Sequence, residues 1–187
     1  MSRHVWIDGA RVELRQLLAQ GGEAEVYDLG DGRVVKWWKP ADHPDFAGNA
    51  AAQAAAATRI AEGGARLAAL PARLPASVVA PIGLARSRKN GDVVGYVMPK
   101  IAGEPLFNLG EARWRRAHAG IDVSAVLLAL HEALAALHRA GVVVGDCNDL
   151  NVLVDGNRVH LIDVDSYQLP GFPCSMFSER FVDPRLC

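Results

Sequence analysis

The segment Val144-Gly145-Asp146-Cys147-Asn148-Asp149-Leu150-Asn151 leaves an apolar run and ends where a β-rich run, Val152-Leu153-Val154, begins. It places Asp146 and Asn151 five residues apart on a loop held between apolar elements. A loop held that rigidly can aim a carboxylate at a substrate hydroxyl and an amide oxygen at a metal. A polar turn rich in Asp and Asn reads equally well from this segment alone. Twelve residues beyond Asn151, Asp163 closes the run Val159-His160-Leu161-Ile162. A carboxylate there stands at the lip of a strand beside the same loop. Oxygens from Asn151 and Asp163 suit Mg²⁺, which takes few protein ligands and completes its shell with water and phosphate. Asp165 reads as a neighbour or as a solvated turn residue.

Two more segments lie upstream. In Leu18-Ala19-Gln20-Gly21-Gly22-Glu23-Ala24-Glu25-Val26-Tyr27, small residues at 19, 21, 22 and 24 let backbone amides approach a ligand, typically a phosphate. A generic Gly-Gly hairpin turn accounts for the same residues. Lys36 lies inside Val34-Val35-Lys36-Trp37-Trp38, where an ammonium is costly unless anions, such as phosphates and a carboxylate, surround it. The alternative is a lysine whose stem covers a half-exposed strand while its head stays in water.

These residues need a sheet and helices to hold them. Asp-Gly or Asn-Gly between β-rich runs predicts a type I′ hairpin, and the pattern occurs at Asp8-Gly9, Asp31-Gly32, Asn90-Gly91 and Asp155-Gly156. The first three predict an N-terminal antiparallel sheet. The alanine-dominated stretch Phe46 to Leu70 predicts one long helix, which Gly63-Gly64 breaks or ends and from which Pro71 and Pro75 mark the exit. Val123, Val126, Leu127, Leu130, Leu134 and Leu137 form one apolar stripe, with Gly141 as a C-terminal stop, and predict a buried helix. A short polar helix over 110–119 precedes it. Arg113-Trp114-Arg115-Arg116 reads as a solvated helix face, not a nucleic-acid patch. The order is a sheet with one inserted helix, a connector, a helix and a final β-hairpin, which predicts two lobes.

Composition agrees with a globular chain of that size. In 187 residues, 20 Lys+Arg face 21 Asp+Glu, giving a formal charge of −1. That balance argues against a dedicated nucleic-acid or membrane-surface binder. No apolar run approaches the roughly 18 residues of a membrane span, and the start lacks a signal-peptide core, so a cytoplasmic location is expected. Cys147, Cys174 and Cys187 have neither disulfide-framework nor zinc spacing.

Together and in order, these segments resemble the protein kinase superfamily, from Leu18 to Pro184. Residues 19–26 resemble the Gly-rich loop G-x-G-x-x-G-x-V with alanine for its first and third glycines. Val34-Val35-Lys36 resembles the strand lysine, Asp146 and Asn151 the catalytic loop, and Asp163-Val164-Asp165 the D-F-G segment. Tyr96-Val97-Met98-Pro99-Lys100-Ile101 through Leu106 resembles the hinge, where adenine would accept from the Ile101 amide and donate to the Pro99 carbonyl. More narrowly, Gly145-Asp146, Asp163-Val164-Asp165-Ser166 and Gly171-Phe172-Pro173-Cys174 are similar to a bacterial kinase-like family sometimes fused to helix-hairpin-helix modules or found in stress and tellurite-resistance clusters.

The resemblance implies an α+β, two-lobed kinase-like fold with a truncated or minimal C-terminal lobe. Its lobes would be 1–99 and 108–187, joined by a hinge at 100–107. It implies ATP and Mg²⁺ as cofactors and a protein Ser/Thr kinase as the activity. Asp146 and Lys36 would be catalytic, Asn151 and Asp163 would hold metal, and Ala19, Gln20, Gly21, Gly22, Glu23, Ala24, Val26, Lys36, Met98, Pro99 and Ile101 would contact nucleotide. Glu62 is the candidate within 46–70 to orient Lys36. A small-molecule kinase and a pseudokinase scaffold are the alternatives.

There are departures from the family pattern. Gly145 stands for the usual arginine, so no phosphate-clamped activation segment is expected. Asn148 replaces the loop lysine, and Asp165 replaces the D-F-G glycine. Phe181-Val182-Asp183-Pro184-Arg185 resembles the end of an activation segment. A lobe that stops there leaves its apolar helix to a protein partner or to further polypeptide.

Overall fold

The computed structural model describes residues 3–174 and 178–181. The chain divides into two compact units, one of residues 1–68 and 81–100, the other of residues 69–80 and 101–187.

The first unit is built on a seven-stranded antiparallel sheet. Its strands are β1 (Arg3–Ile7), β2 (Ala10–Leu14), β3 (Gln16–Gln20), β4 (Ala24–Asp28), β5 (Arg33–Trp38), β6 (Gly83–Arg86) and β7 (Val93–Pro99), in the order β2-β1-β6-β7-β5-β4-β3. Of the three hairpins expected here, Asp8-Gly9 has the predicted chemistry. Both residues take positive φ, 50° and 80°, and Ile7 pairs with Ala10 across the turn. The other two differ. Between β4 and β5 the positive φ falls on Gly30 and Gly32 of a four-residue loop, and Asn90-Gly91 lies in a longer connection with neither residue at positive φ. One dipeptide alone does not set loop length. The pairing partners on either side do.

One sheet face carries Val5, Ile7, Leu14, Tyr27, Val35, Trp37, Ala85 and Val97, all buried together. Arg3 on β1 reaches Glu25 and Tyr27 on β4 although three strands lie between them, which requires the sheet to curl. At its edge Glu25, 6% exposed, forms an ion pair with Arg3 and accepts from the Tyr27 hydroxyl. Burial, then that bond to Glu25, pushes the Tyr27 phenol up to about 12.

The other face is covered by α1 (Ala50–Ala68). The helix is shorter than the 46–70 expected, because Pro44–Phe46 forms a separate 3₁₀ turn. It also runs straight through Gly63-Gly64. Those glycines are packing positions: a Cβ on Gly63 would lie 2.3 Å from the Trp38 ring. Gly63→Ala gains about 1 kcal/mol of helix propensity but must displace an indole that is 1% exposed. Overpacking of that kind costs ~1–3 kcal/mol. Urea unfolding of Gly63→Ala is expected to show net destabilisation, and a midpoint above wild type would contradict this packing.

In the second unit β8 (Glu104–Pro105), β9 (Val152–Asp155) and β10 (Arg158–Leu161) form a three-stranded sheet in the order β10-β9-β8. Residues 104–107, expected in the hinge, therefore belong to this unit, with Glu104 paired to Val154. Residues 69–80, expected in the first lobe, belong here too. The Val79 amide donates to the Leu161 carbonyl at 2.9 Å and the Leu161 amide to the Ser77 carbonyl at 2.7 Å. The β9–β10 turn is Gly156-Asn157, one residue later than expected.

Helix α2 (Ala112–Ala117) leaves Arg113, Arg115 and Arg116 exposed. Helix α3 (Val123–Arg139) starts at Asp122, whose carboxylate accepts from the Ser124 and Ala125 amides. The stripe is only partly buried: Val126 and Leu137 lie inside and Leu130 and Leu134 are half-buried, but Val123 and Leu127 are 36% and 53% exposed. Of Val142–Val144, only Val142 is fully buried. No helix among the described residues is long and apolar enough to cross a membrane.

Candidate functional site

In the first unit, Lys36 sits at the middle of β5, flanked by Val26 on β4 and Tyr96 on β7. Its ammonium lies 5.9 Å from the Tyr96 ring centroid. It shares the α1-facing side of the sheet with Trp38, two positions on. Ala19 and Gln20 end β3, Gly21, Gly22 and Glu23 make the turn, and Ala24 and Val26 open β4. The turn is closed by the Gly21 amide on the Ala24 carbonyl at 2.9 Å.

Glu62, expected beside Lys36, lies on the exposed side of α1 and forms no ion pair among the described residues. Ala56, Gly63 and Leu67 occupy the buried stripe instead. The only acidic residue of α1 is therefore turned away from the sheet by the helix's own phase. That corrects the role assigned to Glu62.

The sequence reading missed Lys39. It is 1% exposed, its Nζ donates to the Gly21 carbonyl at 2.6 Å, and it pairs with Asp45. The Lys39 amide also donates to the Glu23 carbonyl at 3.0 Å, and Gln20 Nε2 donates to Asp45 at 3.2 Å. The Gly-rich turn is thus pinned from below by one buried ammonium. A charge just past the strand end, after two tryptophans, was the available signal.

The Lys39 hydrogen bond is the largest influence holding the Asp45 carboxyl below its ordinary value of 3.8. A depressed folded pKa contributes stability fully above that ordinary value and loses it as pH falls through the folded one. Acid titration is expected to show Asp45→Asn converging on wild-type melting only below about pH 4. Equal melting of the two at pH 7 would contradict the pin.

Met98 and Pro99 end β7, and Ile101 opens the second unit. The Lys100 amide donates to the Gly32 carbonyl at 2.9 Å. Across that trans peptide the Pro99 carbonyl must point the opposite way, to the β6 side of the strand.

In the second unit, Asn151 Nδ2 donates to the Asp146 backbone carbonyl at 3.0 Å and to Asp146 Oδ2 at 3.2 Å. That commits the Asn151 NH₂ to Asp146 and leaves Oδ1 as the side chain's acceptor atom. Asn148, in place of the loop lysine, shapes the loop: its Oδ1 accepts from the Leu150 and Asn151 amides at 2.9 and 3.1 Å. The Ile162 amide donates to the Asn151 carbonyl at 3.0 Å, which ties the end of β10 to this loop. Asp163 follows at φ 69°, ψ 43°. A non-glycine residue held left-handed is strained, and such strain concentrates at functional positions.

Tyr167, fully buried, was not anticipated. Burial, then the charges of Asp163 and others nearby, pushes its phenol up. Burial, then Asp146, pushes the Cys147 thiol up, so it stays a poor nucleophile.

Gly145 has a steric reason: a Cβ there would lie 2.2 Å from Cys174 Cβ and 2.8 Å from the Ser166 carbonyl. Segment 166–174 packs where an arginine side chain would begin. Val143 bridges Gln168 of this segment, and within it Leu169 bridges Phe172. The expected end of an activation segment, apart from Phe181, lies outside the described residues.

The donor set fits a hard cation. One carboxylate and one amide oxygen suit Mg²⁺, with water and phosphate filling the rest. No cluster of three or more His, Cys, Asp or Glu able to hold a metal occurs among the described residues.

A curled antiparallel sheet with one covering helix, joined to a unit with an Asp-Asn loop and an aspartate after its hairpin, is a protein kinase-like fold. Among solved structures the chain is similar to the M. tuberculosis PknI kinase domain, with TM-score 0.54 and 20% identity over 86% of this chain and 59% of that one. It is also similar to monomeric WbdD, with TM-score 0.60 and 23% identity over 88% and 39%. Both likenesses concern the fold. Among curated sequences it is similar to protein kinase YegI of Escherichia coli O157:H7, 29% identical over 184 residues, 90% of this chain and 26% of that protein. The K12 strain's YegI is 28% identical over 193 residues, 95% and 27% respectively. The chain thus spans about a quarter of the length of these relatives. No protein-family model matches it.

Proposed function

We propose that this chain is the kinase domain of an ATP- and Mg²⁺-dependent phosphotransferase acting on protein Ser/Thr hydroxyls. The observation that carries the reading is the second unit's constellation. Asn151 grips Asp146 through its amide nitrogen, and Asp163 is held left-handed one residue past the bond that ties β10 to Asn151.

Each group has a role set by its chemistry. The Asp146 carboxylate, steadied by Asn151, orients the acceptor hydroxyl and takes its proton. Asn151 Oδ1 and the Asp163 carboxylate hold the cation. When bound, Mg²⁺ neutralises charge on the phosphates. Lys36 presents its ammonium to the α/β phosphates, and the turn at 21–23, pinned by Lys39, presents backbone amides to them. The backbone at Pro99 and Ile101, beside Met98, reads adenine.

A nucleotide-binding scaffold is the second reading, favoured by one observation: α1 offers Lys36 no carboxylate, since Glu62 faces outward. A cytoplasmic location accords with an ATP-dependent activity. Incubation with γ-labelled ATP, Mg²⁺ and generic protein acceptors separates the two readings. Label in protein, absent with Asp146→Ala, supports the kinase; nucleotide binding with no transfer to any acceptor supports the scaffold.

A further inference from the structure

Helix α1 brings a cation, and no carboxylate, towards the sheet face that carries Lys36. Arg59 is only 17% exposed, and its Nη2 forms an ion pair with Glu23. Its Nη1 is buried and has no hydrogen-bond partner among the described residues. A buried charged donor without an acceptor is costly, and it persists where a ligand supplies the acceptor. Glu23 closes the three-residue turn 21–23, which Lys39 pins through the Gly21 and Glu23 carbonyls.

One arm of the guanidinium is therefore fixed to the turn proposed to cover phosphates, and the other arm of the same fork is a buried N–H pair with no partner among the described residues. A planar guanidinium matches phosphate oxygens in this way, whereas a single ammonium cannot hold two acceptors in fixed geometry. α1 packs on the sheet through Gly63 and Trp38, two positions beyond Lys36, so both cations lie on one side of the sheet.

We propose that Arg59 is a phosphate ligand of the nucleotide, with Glu23 as its positioning residue. This rests on the nucleotide reading above. Nη1 donates to a phosphate oxygen while Nη2 stays on Glu23, so the turn and α1 are joined through one side chain and recognise the same anion.

The test is a calorimetric titration of wild type, Arg59→Gln, Arg59→Lys and Glu23→Gln with ATP, ADP and adenosine in turn. Arg59→Gln is expected to weaken ATP and ADP by about tenfold or more, the scale of one charge-assisted hydrogen bond, with adenosine unchanged. Arg59→Lys should fall between, and Glu23→Gln should lose less than Arg59→Gln, again sparing adenosine. If Arg59→Gln does not fold, Arg59→Lys, which keeps the charge beside Glu23, carries the comparison. ATP affinity equal to wild type in the Arg59 variants, or a parallel fall for adenosine, would overturn the proposal and leave a structural ion pair. Wild type binding neither ATP nor adenosine would overturn the nucleotide reading itself, and Arg59's role with it, before any variant is compared.

Discussion

Asp146→Ala is expected to lower phosphoryl transfer by about 10²–10⁴-fold, the range for loss of a positioned general base, while ATP affinity stays within about twofold of wild type. The separation follows from the loop. Asn151 Nδ2 holds both the Asp146 carbonyl and its Oδ2, so the carboxylate is held in one orientation on the loop. The alanine variant keeps the backbone half of that grip, so the loop and Asn151 Oδ1 remain in place. Steady-state label transfer across a range of ATP concentrations checks it: turnover should collapse with KM for ATP unchanged. Turnover within a few-fold of wild type would remove Asp146 from the chemistry.

Asp163 gives the second large effect, through two variants that differ only in a β-carbon. At φ 69° any L side chain is strained, by ~1–2 kcal/mol relative to glycine. Asp163→Gly and Asp163→Ala should both abolish transfer and both lose the part of ATP affinity that depends on Mg²⁺, because each removes the carboxylate proposed to hold the metal. Their stabilities should nevertheless separate. The glycine variant should melt above the alanine variant, since it alone accepts the left-handed backbone without cost. Melting curves, with ATP titrations in Mg²⁺ and in chelator, read both halves. An alanine variant as stable as the glycine variant would deny the strain, and Mg²⁺-dependent affinity surviving in either would deny the ligand.

The parts legible in the sequence were those written locally. Asp146, Asn151 and Asp163 are close in the chain and bounded by β-rich runs, so spacing alone brought them together. Asp8-Gly9 was legible because a two-residue I′ turn is a local demand. What stayed hidden depends on tertiary partners. Lys36 was singled out for sitting among apolar residues, yet Lys39 is the lysine buried to 1%, because its acceptors, Gly21 and Asp45, lie 18 and 6 residues away. Glu62 was chosen as the only acid of the long helix. Which residues of that helix face the sheet is set by Trp38 packing on Gly63, a contact no periodicity shows in an alanine-rich segment. Arg59 was missed for the same reason. Gly145 was legible as a departure but not its cause, since Cys174 lies far along the chain.

The central claim is that this chain binds a magnesium nucleotide. Isothermal titration calorimetry of the wild-type chain with ATP, in Mg²⁺ and again in chelator, tests it most directly. The account predicts saturable one-to-one binding that weakens markedly in chelator, together with a raised melting temperature at saturation. No heat and no melting shift at millimolar ATP in Mg²⁺ would contradict it.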